Sequence, residues 1–343
     1  MKLTTFRRLL GAGAVCAAFG AGPAFAAPAS AALLPSDKPA DRTVTVQAPN
    51  GLLINKCVPE PLRRYTISFR ATDGVRVSGL VLGSGKKGLV LEHEHGWDIC
   101  SWLPFAQILA SKGYHVLLLE QRGTGASAAS EPTHFNRDFL AAAQELTRRG
   151  ATAIIAGGAS LGGTAAASSA PKIPNLAGLV LFSSPRRDGD GSDKEMDAIA
   201  AIRTVTKPSF FAASPGDASN DAYLHEVQAL YKASGATEKH METPEGGIHG
   251  VDMMESKENG AALQAKLLAF IADAFRKAGV SDSPATNAPL PMGPPPMGPP
   301  PMRRLARLPA TRPVLGRPVG RPRAVTGTPG RPSRCRPAWP RSC

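Results

Sequence analysis

The chain has 343 residues, 43% of them hydrophobic, which is enough for a core and excludes wholesale disorder. The formal net charge is +13, yet residues 1–26 and 303–343 hold 14 Lys and Arg and no acid. That leaves 26 Lys and Arg against 27 Asp and Glu in the body, so the basic balance does not argue for a nucleic-acid or membrane partner of the folded part.

The N-terminus reads as an export signal over residues 1–26. Lys2, Arg7 and Arg8 precede a short apolar run to Phe19, and Ala24-Phe25-Ala26 offers small residues for cleavage near Ala26. The run is rich in Ala and Gly, which suits a cleaved signal better than a stable membrane anchor. The general and the twin-arginine export routes both stay open. Residues 27–59 read as an N-terminal extension.

From residue 60 to 279 strand and helix patterns alternate. The runs 64–71 and 75–82, separated by Thr72-Asp73-Gly74, predict an antiparallel hairpin. Strands are predicted at 88–92, 115–120, 153–156, 176–182 and 209–213, with a last short one at 241–243. Helices are predicted at 102–111, 139–149, 162–170, 194–205 and 221–233. A strongly amphipathic helix over 261–277 places Leu263, Leu267, Phe270, Ile271 and Phe275 on one face, with Gly279 just beyond. This alternation predicts an α/β fold: a mostly parallel, doubly wound sheet covered on both faces, with its chemistry beyond the carboxyl ends of the strands. Residues 280–343 change character. Of the 32 Pro, 17 lie in 284–343, among eleven Arg. The tail reads as disordered, and either as an element that adheres to anionic surfaces or as an accidental extension.

Three motifs fall at predicted strand ends. Gly158-Ala159-Ser160-Leu161-Gly162 lies between a strand and a helix, the setting of a nucleophile elbow, with small neighbours that allow a sharp turn. Leu91-Glu92-His93-Glu94-His95-Gly96-Trp97 ends another strand. Its His93 and His95 also raise a metal reading, but Trp97 and Asp98 do not continue a zinc-hydrolase pattern. Glu120-Gln121-Arg122-Gly123-Thr124-Gly125-Ala126-Ser127 ends a third. It lacks the further Gly and the acidic residue of a dinucleotide loop, so no cofactor is expected.

Taken together, these motifs resemble the α/β-hydrolase superfamily, in the layout of compact dienelactone-hydrolase-like and esterase members without a large cap domain. The resemblance covers about residues 60–278. It implies Ser160 as nucleophile, a late His as base, which is His249 in Gly246-Gly247-Ile248-His249-Gly250, and an acid after the strand 209–213. Asp217 fits that acid, with Asp221 next and Asp188 or Asp190 behind it. It also implies an oxyanion hole from the backbone N–H groups of Trp97 and Leu161. The expected activity is hydrolysis of a small-molecule ester by a secreted enzyme without metal or organic cofactor. The competing reading is a non-catalytic exported binding protein on the same scaffold. In an exported chain Cys57 and Cys100 are expected to form a disulfide, with two free thiols as the alternative.

Overall fold

A computed structural model describes residues 38–281 apart from 190 and 192. The expected signal segment, the tail beyond 281 expected to be disordered, and Asp190 lie outside the described residues.

A two-stranded antiparallel hairpin comes first, β1 (Thr45–Gln47) and β2 (Leu53–Asn55). The main sheet has eight strands: β3 (Thr66–Arg70), β4 (Arg76–Leu82), β5 (Lys87–Glu92), β6 (His115–Leu119), β7 (Ala153–Ala159), β8 (Leu176–Phe182), β9 (Ser209–Ala212) and β10 (Lys239–Glu242). Their spatial order is β3-β4-β6-β5-β7-β8-β9-β10. β3 pairs with β4 in the expected hairpin, from Thr66 opposite Leu80 to Arg70 opposite Arg76, and β4 pairs antiparallel with β6. All other pairs are parallel. After β5 the chain moves first to one side, as β6, and then to the other, as β7. The crevice at that switch point lies beyond Glu92 and Ala159.

The strands are apolar because both faces are covered. Along β6, Val116 and Leu118 join one core while Leu117 and Leu119 join the other, as a period of two dictates. The first core is roofed by α1 (Leu103–Ser111) and α6 (Gly260–Lys277). The second is roofed by α2 (Phe135–Arg148), α3 (Leu161–Ser169), the short α4 (Ala198–Ala201) and α5 (Ala222–Ala233). α6 buries the apolar face expected of it, with Phe275 wholly enclosed. Each such side chain contributes about 1.5–3 kcal/mol.

Three differences from the sequence reading have local causes. β1 and β2 lie in what reads as a plain extension. α2 begins at Phe135, four residues early, because Asp138 on its buried side interrupts the apolar spacing. The helix expected over 194–205 reduces to α4 and a 3-10 turn, Ile202–Thr204, because Asp197 caps the segment at Ala198 by accepting from Ala200 N. Between β8 and β9 the described residues hold only these short pieces and no cap domain. No helix among the described residues is long and apolar enough to cross a membrane.

Candidate active site

Ser160 stands between β7 and α3 with φ 49° and ψ −123°, outside the ordinary region for a residue bearing a side chain. Such a conformation costs on the order of 1–3 kcal/mol and persists only where the surroundings enforce it. Here the enforcement is close packing. A Cβ at Gly158 would stand 2.5 Å from the Gly162 carbonyl, and a Cβ at Gly162 would stand 2.5 Å from the carbonyl oxygens of Glu92 and His93. The two glycines of the motif therefore let the turn press against the end of β5. Ser160 N–H donates to Phe182 O on β8 at 2.8 Å. The Ser160 hydroxyl does not cap α3, although Ser is well suited to that task. Among the described residues it has no hydrogen-bond partner, and it points free beside the positive end of a helix.

Asp217 lies in the loop after β9, and His249 lies in the loop before the 3-10 turn Gly250–Glu255 that leads towards α6. His249 Nδ1 is 2.9 Å from both carboxylate oxygens of Asp217. The Asp217 side chain is almost fully buried, whereas that of His249 is 31% exposed and so reachable from outside. The two loops are tied by Gly247 N–H donating to Pro215 O at 3.1 Å. The Tyr223 ring stands over His249 with centroids 4.3 Å apart.

These loops converge on the strand ends that hold Ser160. Phe182 binds Ser160 N–H, and the next residue, Ser183, reaches Asp217 Oδ2 (2.7 Å) and receives Gly250 N–H (3.0 Å). Glu94, beyond β5, accepts Val251 N–H at 2.6 Å. Neither Ser183 nor Glu94 stands out in the sequence as a site residue. No hydrogen bond joins Ser160 to His249, a contact that commonly tightens only when substrate arrives.

The other acid candidates are used elsewhere. Asp221 Oδ1 accepts Gly216 N–H at 2.6 Å, and Asp188 Oδ2 accepts Asp193 N–H at 3.2 Å. Leu161 N–H, at the first position of α3, has no acceptor among the described residues. Trp97 departs from expectation. Its N–H donates to Glu94 O at 3.2 Å because residues 94–97 close a turn in which Gly96 has φ 83°, and its side chain is 51% exposed. Trp102 is buried instead, its indole N–H on Glu92 O at 2.9 Å and its ring packed edge-on to Phe182.

His93 offers no lone pair to a metal. Its Nε2 accepts Gln121 N–H (3.1 Å), and its Nδ1 lies 2.7 Å from Glu94 O, to which it donates. Burial lowers its pKa to about 4, so the ring is neutral. Among the described residues Cys57, Asp98 and Cys100 are the one group close enough to share a cation, and there Cys57 and Cys100 are joined in a disulfide. The Glu120–Ser127 turn is structural. Arg122, fully buried, holds Asp138 at 2.6 Å and Asp73 at 2.8 Å. Glu120 takes Asn55 Nδ2 and Ala126 N–H, each at 2.8 Å, which docks β2 on the turn.

Comparison with known proteins agrees with this architecture. DcsB, solved in complex with its substrate analogue, superposes with a TM-score of 0.52 at 13% identity, over 61% of this chain and 99% of that one. An esterase of Pyrococcus furiosus, Pf2001, superposes with a TM-score of 0.51 at 16% identity, over 66% of this chain and 97% of that one. At such identities the likeness is one of fold. No curated protein matches in sequence. Residues 84–274, more than half of the chain and all three strand-end motifs, match the family described as serine aminopeptidase, S33. The chain is therefore an α/β hydrolase and belongs to the serine aminopeptidase S33 family.

Proposed function

We propose that the protein is an exported serine esterase that transfers an acyl group to water through Ser160, His249 and Asp217. The observation that carries this reading is the pair His249–Asp217, bonded at 2.9 Å on loops that meet the strand ends beside a strained serine with a free hydroxyl. Ser160 Oγ attacks the ester carbonyl carbon. His249 Nε2 takes the hydroxyl proton and later delivers it to the leaving alcohol. Asp217 keeps Nδ1 protonated and balances the imidazolium. Leu161 N–H and an amide of the 95–97 loop stabilise the oxyanion, each donor contributing about 3 kcal/mol to lowering the barrier. Water then repeats the sequence on the acyl-enzyme.

The family description names peptide hydrolysis, and the same machinery serves amides and esters. Esters are favoured here because the described residues carry no cap to hold a peptide terminus. Export is supported by the signal-like residues 1–26 and by the Cys57–Cys100 bond, which suits an oxidising compartment.

The test is Ser160→Ala. It is expected to keep the fold and lose p-nitrophenyl acetate turnover by roughly 10³-fold or more. Undiminished turnover would remove Ser160 from the mechanism. A fluorophosphonate probe separates the enzyme from a non-catalytic binder: the folded binder takes no label, the enzyme takes one that Ser160→Ala abolishes.

A further inference from the structure

Ser183 is fully buried and follows β8 directly, with φ 43°. That left-handed conformation favours glycine, so a side chain there is retained against the backbone's preference. Its backbone N–H is fixed on Ala212 O at 2.8 Å, at the end of β9. Its hydroxyl lies between two partners, Gly250 N–H at 3.0 Å and Asp217 Oδ2 at 2.7 Å. An amide N–H can only donate, so Gly250 takes a lone pair of the hydroxyl. The hydroxyl proton is left with one destination, the Asp217 carboxylate. One side chain thus fixes the rotation of the acid and the position of the residue next to the base.

We infer that Ser183 is a positioning residue, acting through Asp217 to hold His249 in register with Ser160. The inference rests on the catalytic reading of Ser160, His249 and Asp217. His249 Nδ1 is equidistant from both oxygens of Asp217, so the carboxylate would be free to rock about that contact if Oδ2 were not held from behind. The hydroxyl contributes orientation, not proton transfer, and makes no contact with substrate.

Ser183→Gly separates this role from a merely structural one, because it deletes the hydroxyl while relieving the backbone. Expected are a folded protein with a modestly lower melting temperature, because the Gly250 N–H loses its acceptor while the backbone is relieved, KM for p-nitrophenyl acetate within about twofold, and kcat lower by about 10- to 100-fold, the scale of one lost hydrogen bond to a charged group. Ser183→Ala, which keeps the packing of Cβ, is expected to show the same split between kcat and KM. In an Asp217→Asn background the Ser183→Gly effect should vanish, because residues acting through one another are not additive. Full kcat in both Ser183 variants, or a kcat loss that persists undiminished beside Asp217→Asn, would overturn the assignment. Turnover surviving in Ser160→Ala would overturn the catalytic reading itself, and this assignment with it.

Discussion

Glu94 and Val251 stand 157 residues apart in the chain and are joined by a 2.6 Å hydrogen bond from the Val251 amide to Glu94 Oε1. The bond fastens the loop that carries His249 to the end of β5. The other oxygen, Oε2, is buried and has no hydrogen-bond partner among the described residues. Burial raises the carboxyl pKa above its ordinary value. Glu94→Ala leaves the Val251 N–H without an acceptor and is expected to cost about 1–3 kcal/mol of stability, read as a shift in the urea midpoint. Glu94→Gln keeps an acceptor oxygen and should cost less. Equal losses in the two variants would show that the amide bond is not what matters.

Glu92 offers a prediction about pH. It is completely buried at the end of β5, and among the described residues neither carboxylate oxygen has a donor in hydrogen-bond geometry. Burial, followed by repulsion from Asp138, drives its pKa well above 4.5. A raised folded-state pKa means that stability is fully present below the unfolded value and is lost as pH rises through the folded one. The melting temperature of the parent should therefore decline as pH rises above 4.5 towards the folded-state value, and Glu92→Gln should flatten that decline. A parent and variant with parallel pH curves would show that Glu92 does not titrate with folding.

The assignment of the acid is tested by two substitutions. Asp217→Asn is expected to slow turnover by several orders of magnitude, near 10⁴-fold, because an amide no longer selects the productive His249 tautomer. Asp221→Asn should change kcat little, since Asp221 serves the Gly216 amide. Its effect belongs in thermal stability. Steady-state kinetics on both variants distinguish the roles.

The Cys57–Cys100 bond closes a span of 43 residues and ties the segment after β2 to the loop after Trp97. Loop-closure entropy for that span gives about 4 kcal/mol of stabilisation. Reduction, or a double Cys57→Ser, Cys100→Ser variant, should lower the melting temperature by many degrees. Turnover should also fall below the melting point, because the loop bearing the 95–97 amides loses its tether. Identical melting with and without reductant would contradict this.

Much of the sheet was legible because a parallel sheet buries each strand on both faces. Leu176–Phe182 is uniformly apolar, and its bounds follow from that run alone. α6 was legible for the opposite reason, a clean separation of faces. β1 and β2 were not, being three residues each and only partly buried. The nucleophile turn carries its own signature, since the close approach of backbones demands Gly at 158 and 162. Ser183 and Glu94 carry none. Their partners lie 34, 67 and 157 residues away, and a lone Ser or Glu in sequence does not reveal what folding will bring to it. The Trp97 amide shows the same limit from the other side. Its place in the loop was readable, but its engagement by Glu94 O depends on a turn of φ values that spacing does not encode.

The order of the sheet leaves β10 at one margin, with a row of backbone groups facing outward. An unprotected margin of that kind is a template on which a foreign strand can dock, and through which molecules stick to one another. β10 is four residues long, and Lys239 and Glu242 stand on it, the latter paired with Lys266 at 2.6 Å. A docking strand would gain few hydrogen bonds and would have to strip water from those charges. That margin is thus guarded against edge-to-edge clumping by brevity and charge.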